Sequence, residues 1–222
     1  MLPVLKHTLL VILLVFILPV FAHAAVWFTE ERPRNWRSAD WSSAGVLPSP
    51  RAEKEASIRV FAARTGGLKG IVAAHTWLVL KGENAPAYDR YDVVGWGNPV
   101  RRNSQPPDGR WYSNEPVIIH EIKGPEAARL LPKVEAAIRD YQWSERGTYR
   151  TWPGPNSNTF VATVLAAVPE IKASIPPTAI GRDYPAGSWV RRSPNGGWRS
   201  CSCSAGRSST PRHSTSSGAT RS

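Results

Sequence analysis

The stretch from Thr8 to Phe28, TLLVILLVFILPVFAHAAVWF, constrains this chain more than any other part of it. It follows Lys6 and contains no acidic residue, so it belongs with a lipid bilayer rather than with water. Two readings fit. The small-x-small triplet Ala22-His23-Ala24 behind an apolar run is the pattern of a cleavable signal peptide, cut after Ala24. The same run, at about 1.5 Å per helical residue, is also long enough to cross about 30 Å of hydrocarbon as an uncleaved anchor. Pro19 and His23 disfavour a permanent span, and Arg32, Arg34 and Arg37 oppose export under the positive-inside rule. On either reading residues 1–28 direct the rest of the chain to a bacterial-type cell envelope, into the periplasm or anchored to the inner membrane facing it.

The remainder of the chain can form one domain with appendages. A length of 222 residues with 41% hydrophobic and 20% charged residues falls among globular proteins. The net charge of +11 raises the question of a nucleic-acid partner. About half of it lies beyond position 190, where Arg191, Arg192, Arg199, Arg207, Arg212 and Arg221 occur with no acidic residue. No expected helix gathers Lys and Arg on one face, so nucleic acid is not an expected partner. Cys201 and Cys203 both sit in that ending with only His213 nearby, too few ligands for zinc, and neither a metal nor a cofactor is expected.

Residues 29–56 are polar, broken by Pro33, Pro48 and Pro50, and read as a spacer leaning on the domain through Trp36 and Trp41. Residues 57–190 read as the domain. Strands are expected over Ser57–Arg64, within Gly70–Lys81, over Tyr88–Trp96 and over Val117–Ile122, with glycine-rich turns making neighbours antiparallel. Gly97 to Pro116 reads as a long loop carrying Trp111 and Tyr112. Ala127, Leu130, Leu131, Val134, Ile138 and Tyr141 recur at helical spacing behind Pro125, and after Pro153-Gly154-Pro155-Asn156-Ser157-Asn158 a second helix follows with Phe160, Val161, Val164, Leu165 and Val168 on its apolar side. Residues 191–222, rich in Ser and Arg with little to bury, read as a disordered basic tail.

The words RTGGLKGIVAAHTWLVLK, YDVVGWGNPV, PDGRWYSNEP, WPGPNSNTF and PPTAIGRDY resemble an uncharacterised bacterial domain-of-unknown-function family, from Arg64 to Tyr184. That resemblance implies no activity. After Arg191 the chain departs from the family pattern, as a natural tail or a shifted reading frame would. A weaker, local resemblance is to the permuted papain-like group, which includes the PPPDE thiol peptidases and the lecithin-retinol-acyltransferase-like proteins. His75 in AAHTWLVL looks like that group's early histidine strand, and Asn156-Ser157-Asn158-Thr159-Phe160 looks like its nucleophile word with Ser157 in place of Cys. The fold implied is α+β, an antiparallel sheet with two principal helices, permuted papain-like.

The substitution changes the chemistry. A thiol at a helix N-terminus beside an imidazolium ionises readily, whereas a serine hydroxyl stays protonated and needs a general base held by a third group. His75 would be that base, and Asp92 or Asp89 its orienter. Residues of these types serve equally well as structural groups, Asn156 or Ser157 as a helix N-cap and His75 as a buried core histidine. His120 with Glu121 has a weaker claim to chemistry. Asn156, Asn158, Trp96, Trp111, Tyr112 and Trp152 are candidate ligand contacts, although such aromatic residues are more often packing groups. The expected function is an envelope binding module, catalytically degenerate, contacting a peptidoglycan fragment, a peptide or a lipid headgroup. The alternative is a serine hydrolase or acyltransferase using Ser157 and His75, and whether the chain is an enzyme is left open by the sequence.

Overall fold

SIRVFAAR and AHTWLVLK, both rich in β-branched and aromatic residues, form β1 (Ser57–Arg64) and β2 (Ala74–Lys81) in the computed structural model, which describes residues 2–184 together with Arg191–Arg192 and Trp198–Arg199. The two strands pair antiparallel from Ser57↔Lys81 to Arg64↔Ala74. β3 (Asp89–Val93) continues the meander beside β2, and β4 (Val100–Arg102) beside β3. β5 (Val117–Lys123) returns to the open side of β1, with a register shift between Val60 and Phe61. The order β4-β3-β2-β1-β5, antiparallel throughout, makes this an α+β fold.

Two expectations shift locally. The run expected from Gly70 is extended only from Ala74, because Gly67–Ile71 winds into a 3-10 turn. β4 lies inside the stretch expected to be a loop; a three-residue edge strand reading Val-Arg-Arg has no alternation to announce it.

α3 (Gly124–Arg139) buries Ala127, Leu130, Leu131, Val134 and Ile138, the stripe expected from its spacing, and keeps Pro132 on its outer side. α4 (Ser157–Ala167) is buried along its first five residues. Both helices cover the sheet face that presents Ile58, Val60, Leu78, Leu80 and Val93. The opposite face carries Phe61, Trp77, Val79 and Tyr88 and is covered by chain without regular structure, through Trp41, Leu47, Trp111 and Tyr112. Both central strands are therefore buried on two faces, which explains why their sequences read as near-continuous apolar runs.

The segment 29–56 is stitched into that second layer. Trp41 sets its ring edge-on to Trp111 and Tyr112, with centroids 5.1 and 4.8 Å apart, while Trp36 stays exposed under the Arg37 guanidinium. The buried Asp108 carboxylate accepts from Ser43 Oγ at 2.6 Å and from the Val46 amide at 2.8 Å.

The N-terminal segment is helical as α1 (Leu2–Ile12), a π turn (Leu13–Ile17) and α2 (Leu18–Thr29). Pro19 has no N–H for the carbonyl four residues back, and the wider turn falls there. From Pro3 to Thr29 the helix is apolar and long enough to cross a membrane, consistent with a signal sequence or an anchor. Residues 185–222 form a second unit, in which Arg191–Arg192 pairs antiparallel with Trp198–Arg199. The expected tail with Cys201, Cys203 and His213 otherwise lies outside the described residues.

One charged cluster ties the 29–56 segment to the sheet. Arg59, fully buried, donates to Glu53 and to Glu121, and Tyr88 donates to Glu53 at 2.5 Å. Burial pushes the Glu53 carboxyl up, but the bonds from Arg59 and Tyr88 outweigh it and hold its pKa at about 2. A depressed folded value means that the stabilisation is complete above the unfolded pKa and is lost as pH falls through the folded one. In Glu53→Gln, the melting-temperature deficit relative to wild type should be full above pH 4.5 and shrink as pH approaches 2. A deficit constant across that window would remove the carboxylate from its assigned role.

Candidate functional site

The head of α4 is built by two asparagines with a serine between them. Asn156, the N-cap, accepts from the Asn158 and Thr159 amides at 3.0 and 3.1 Å, while the Thr159 hydroxyl accepts from the Asn156 amide, completing a capping box. The Asn156 Nδ2 donates to the carbonyls of Thr151 and Ile180, both at 3.0 Å. Asn158 turns the other way: its Nδ2 donates to the Ala74 and Ile180 carbonyls at 2.9 Å, and its Oδ1 accepts from Thr76 Oγ1 at 2.9 Å. Both side-chain amides are thus consumed in holding α4 to β2 and to the segment around Ile180. Gly181, at φ +94°, lies so close that a Cβ there would stand 2.2 Å from Asn156 Nδ2.

Ser157 is the member of the triplet whose hydroxyl takes no part in these bonds. It lines a cleft of 610 Å³ that passes the start of β2, with His75, Trp111, Trp96 and Trp152 on other parts of the wall. Trp96 and Trp152 are 57% and 74% exposed, so each offers an open indole face to whatever occupies the cleft.

His75 enters from the opposite layer. Alternation along β2 turns Thr76 toward α4 and His75 toward the irregular layer, where its ring lies flat on Trp111 with centroids 3.6 Å apart and planes 7° from parallel. Burial, and secondarily the Arg90 charge, lower its pKa well below the ordinary value, so the imidazole is neutral at neutral pH. Its Nε2 is buried without a hydrogen-bond partner among the described residues. His75 and Ser157 therefore share a cleft, but no hydrogen bond joins them among the described residues.

Neither expected orienter is placed against the imidazole. Asp92 accepts from Arg90 Nε at 2.5 Å, both being buried, and Arg90 lies over Trp77 at 4.2 Å. Asp89 accepts from Arg102 and Asn103. His120 Nε2 is buried without a hydrogen-bond partner among the described residues, and His120 does not line the cleft. Among the described residues no group of three or more His, Cys, Asp or Glu side chains is placed to hold a metal ion.

Of the expected ligand contacts, Trp96, Tyr112 and Trp152 remain available at the wall, whereas Trp111 is chiefly a packing surface for His75 and Trp41. Tyr112, at φ +52°, folds over Gly66, where a Cβ would meet its ring at 2.2 Å. Sequence reasoning missed Arg34, Lys69, Val72 and Tyr149, which also line the cleft.

The asparagine clamp makes a sharp contrast testable. Asn156→Ala removes an N-cap worth about 1 kcal/mol and takes the Asn156 donor from the part-buried Thr151 carbonyl, whereas the Ile180 carbonyl keeps Asn158 Nδ2, so chemical denaturation should show a loss of about 1–2 kcal/mol. Ser157→Ala should stay within about 0.5 kcal/mol of wild type. Equal losses would mean that Ser157 belongs to the clamp as well.

Residues 55–184 match the family model described as Protein of unknown function (DUF3750). Comparison with curated proteins and with solved structures returned no match for either. The matched span takes in all five strands of the sheet, both helices packed on it and the asparagine clamp, more than half of the chain, and the protein is a member of the DUF3750 family.

Proposed function

We propose that this is an envelope ligand-binding module whose cleft descends from a papain-like arrangement that has lost its thiol. Residues 1–28 deliver or anchor it, residues 29–56 join it to that segment, and residues 57–190 bind. The observation that carries the reading is the geometry around Ser157. The clamp holds Ser157 at the helix head on the wall of a cleft that also carries exposed indoles, while the imidazole on the same wall rests on Trp111 and has no hydrogen bond to Ser157 among the described residues.

A serine nucleophile needs a base within about 2.6–3.2 Å and a group that holds the base. Arg90 occupies Asp92, and Arg102 with Asn103 occupies Asp89. Binding asks less. Flat indole faces and polar groups fixed in advance suffice to orient a ligand of mixed character, such as a peptidoglycan fragment, a peptide or a lipid headgroup. No cofactor or nucleic acid enters this reading.

Backbone amide exchange of the full chain in neutral detergent, with and without a disaccharide-peptide muropeptide or a short-chain phospholipid, tests it. One of the two should protect residues around Trp111, Trp152 and Ser157, and Trp152→Ala should weaken binding roughly fivefold, the loss of about 1 kcal/mol of stacking. Exchange unchanged in that region by either compound would remove the binding reading.

The hydrolase or acyltransferase reading keeps one observation in its favour. Ser157, whose hydroxyl has no hydrogen-bond partner among the described residues, opens a helix and lines the same cleft as His75, although burial and the Arg90 charge disfavour the imidazolium that a general base must become. It requires fluorophosphonate labelling of Ser157 that disappears in His75→Ala. The binding reading expects no labelling in either protein.

A further inference from the structure

We infer that the occupant of the cleft is an anionic phospholipid, taken up at the membrane surface where the N-terminal helix emerges; this rests on the binding reading and gives it a ligand class. Three independent features converge on one end of the molecule.

First, the end of α2 is docked on the rim of the cleft. His23 Nε2 lies 2.8 Å from the Ile71 carbonyl oxygen, and the Trp27 indole is buried against Gly70, where a Cβ would stand 2.2 Å from the ring. Arg32 covers the other side of that indole at 3.0 Å. A smaller cavity of 390 Å³, lined by Trp27, Phe28 and Arg32, shares Pro33, Thr65, Gly66, Gly67 and Tyr112 with the cleft. Pro33 lies four residues past the end of α2, so the cleft begins at most roughly 13 Å of chain from the helix. If the helix sits in a bilayer, the cleft mouth lies at headgroup depth.

Second, the rim there has the composition of a membrane interface. Leu68 is 67% exposed and Val72 53% exposed on either side of the docking site, and Trp36 is exposed on the chain that leaves the helix. Apolar side chains, a tryptophan and cations together suit the boundary between headgroups and acyl chains.

Third, the cleft wall carries positive charge and no carboxylate. Arg34 and Lys69 are its fully charged residues, both are exposed, and neither ion-pairs among the described residues. Some exposed arginines elsewhere on the domain have carboxylate partners, Arg64 with Glu30 and Arg102 with Asp89, and others such as Arg129 and Arg139 form no ion pair among the described residues; what sets Arg34 and Lys69 apart is that they share one cleft wall beside the emerging helix. Two cations beside the emerging helix complement a headgroup phosphate, and the exposed indoles and Val72 complement the glycerol and first methylenes below it.

The test uses the full chain in neutral detergent, titrated with short-chain phosphatidylglycerol, short-chain phosphatidylcholine and soluble glycerol 3-phosphate, with intrinsic tryptophan fluorescence and amide exchange as readouts. Phosphatidylglycerol should bind about tenfold more tightly than phosphatidylcholine and far more tightly than glycerol 3-phosphate, and should protect residues 65–75 and 151–159. The double variant Arg34→Glu, Lys69→Glu should lose that preference without a change in melting temperature. Equal binding of the two lipids, a preference untouched by the double variant, or equally tight binding of glycerol 3-phosphate would each overturn the inference. Protection of the same residues by a muropeptide, with none from phosphatidylglycerol, would overturn the lipid assignment and leave the binding reading standing. Protection by neither would end both.

Discussion

Two buried amide side chains decide where everything else in the site can be. Asn156 and Asn158 are each about 4% exposed, and an unpaired buried amide would be costly. Between them they satisfy the amides of the first turn of α4 and the carbonyls of Ala74, Thr151 and Ile180. The helix head, the first residue of β2 and the loop near residue 180 are thereby locked together, although they come from three distant parts of the sequence. Hydrophobic packing of Phe160, Val161 and Val164 holds α4 on the sheet, but packing tolerates sliding and the amide bonds do not. The consequence is a serine held at one place and angle. Such a constraint is equally useful to a nucleophile and to a binding group, which explains why the sequence word alone does not separate them.

The sheet, the stripe of α3 and the capped start of α4 were legible because each has a local signature: period two, period near 3.6, and an Asx residue before an apolar run. What was not legible is contact between segments far apart in sequence. The face of the sheet opposite the helices is closed by Trp41, Leu47, Trp111 and Tyr112, all in chain without periodicity, so the stretch from Gly97 to Pro116 read as a binding loop when half of its aromatic surface is core. For the same reason Asn156 and Asn158 read as ligand contacts. Their residue type says that they form hydrogen bonds, and only their neighbours say with whom. Period two did, however, contain a warning that could have been used. His75 and Thr76 are adjacent in one strand and must point to opposite faces, so only one of them can meet α4, and it is Thr76.

That division also sets the electrostatics around His75. In its layer stand Trp77, Trp111 and the Arg90–Asp92 pair, with Arg90 Nη2 and Asp92 Oδ1 both buried and unbonded among the described residues. A nearby guanidinium and an apolar surround both disfavour imidazolium. A papain-like pair relies on the opposite condition, because the imidazolium stabilises the thiolate. The environment of His75 would thus be a poor partner for a cysteine at position 157. A serine nucleophile would fare no better, because its general base must become imidazolium on taking the hydroxyl proton, whereas a serine used only for binding loses nothing by it.

The arginines behind the apolar helix conflict with export only if they are counted as free charge. Arg32 is held between Glu30 and the Trp27 indole, and Arg37 lies over the Trp36 ring. Guanidinium groups stacked on indoles at a helix exit are compatible with the headgroup region, where part of their hydration is replaced by aromatic faces and lipid phosphate. Arg34 differs from Arg32 and Arg37 in lining the cleft. The same run of charge that makes the helix look wrongly oriented in the sequence therefore has a local use in the folded chain. On the lipid reading Arg34 supplies positive charge to the cleft mouth, next to the segment that packs Trp27 against Gly70.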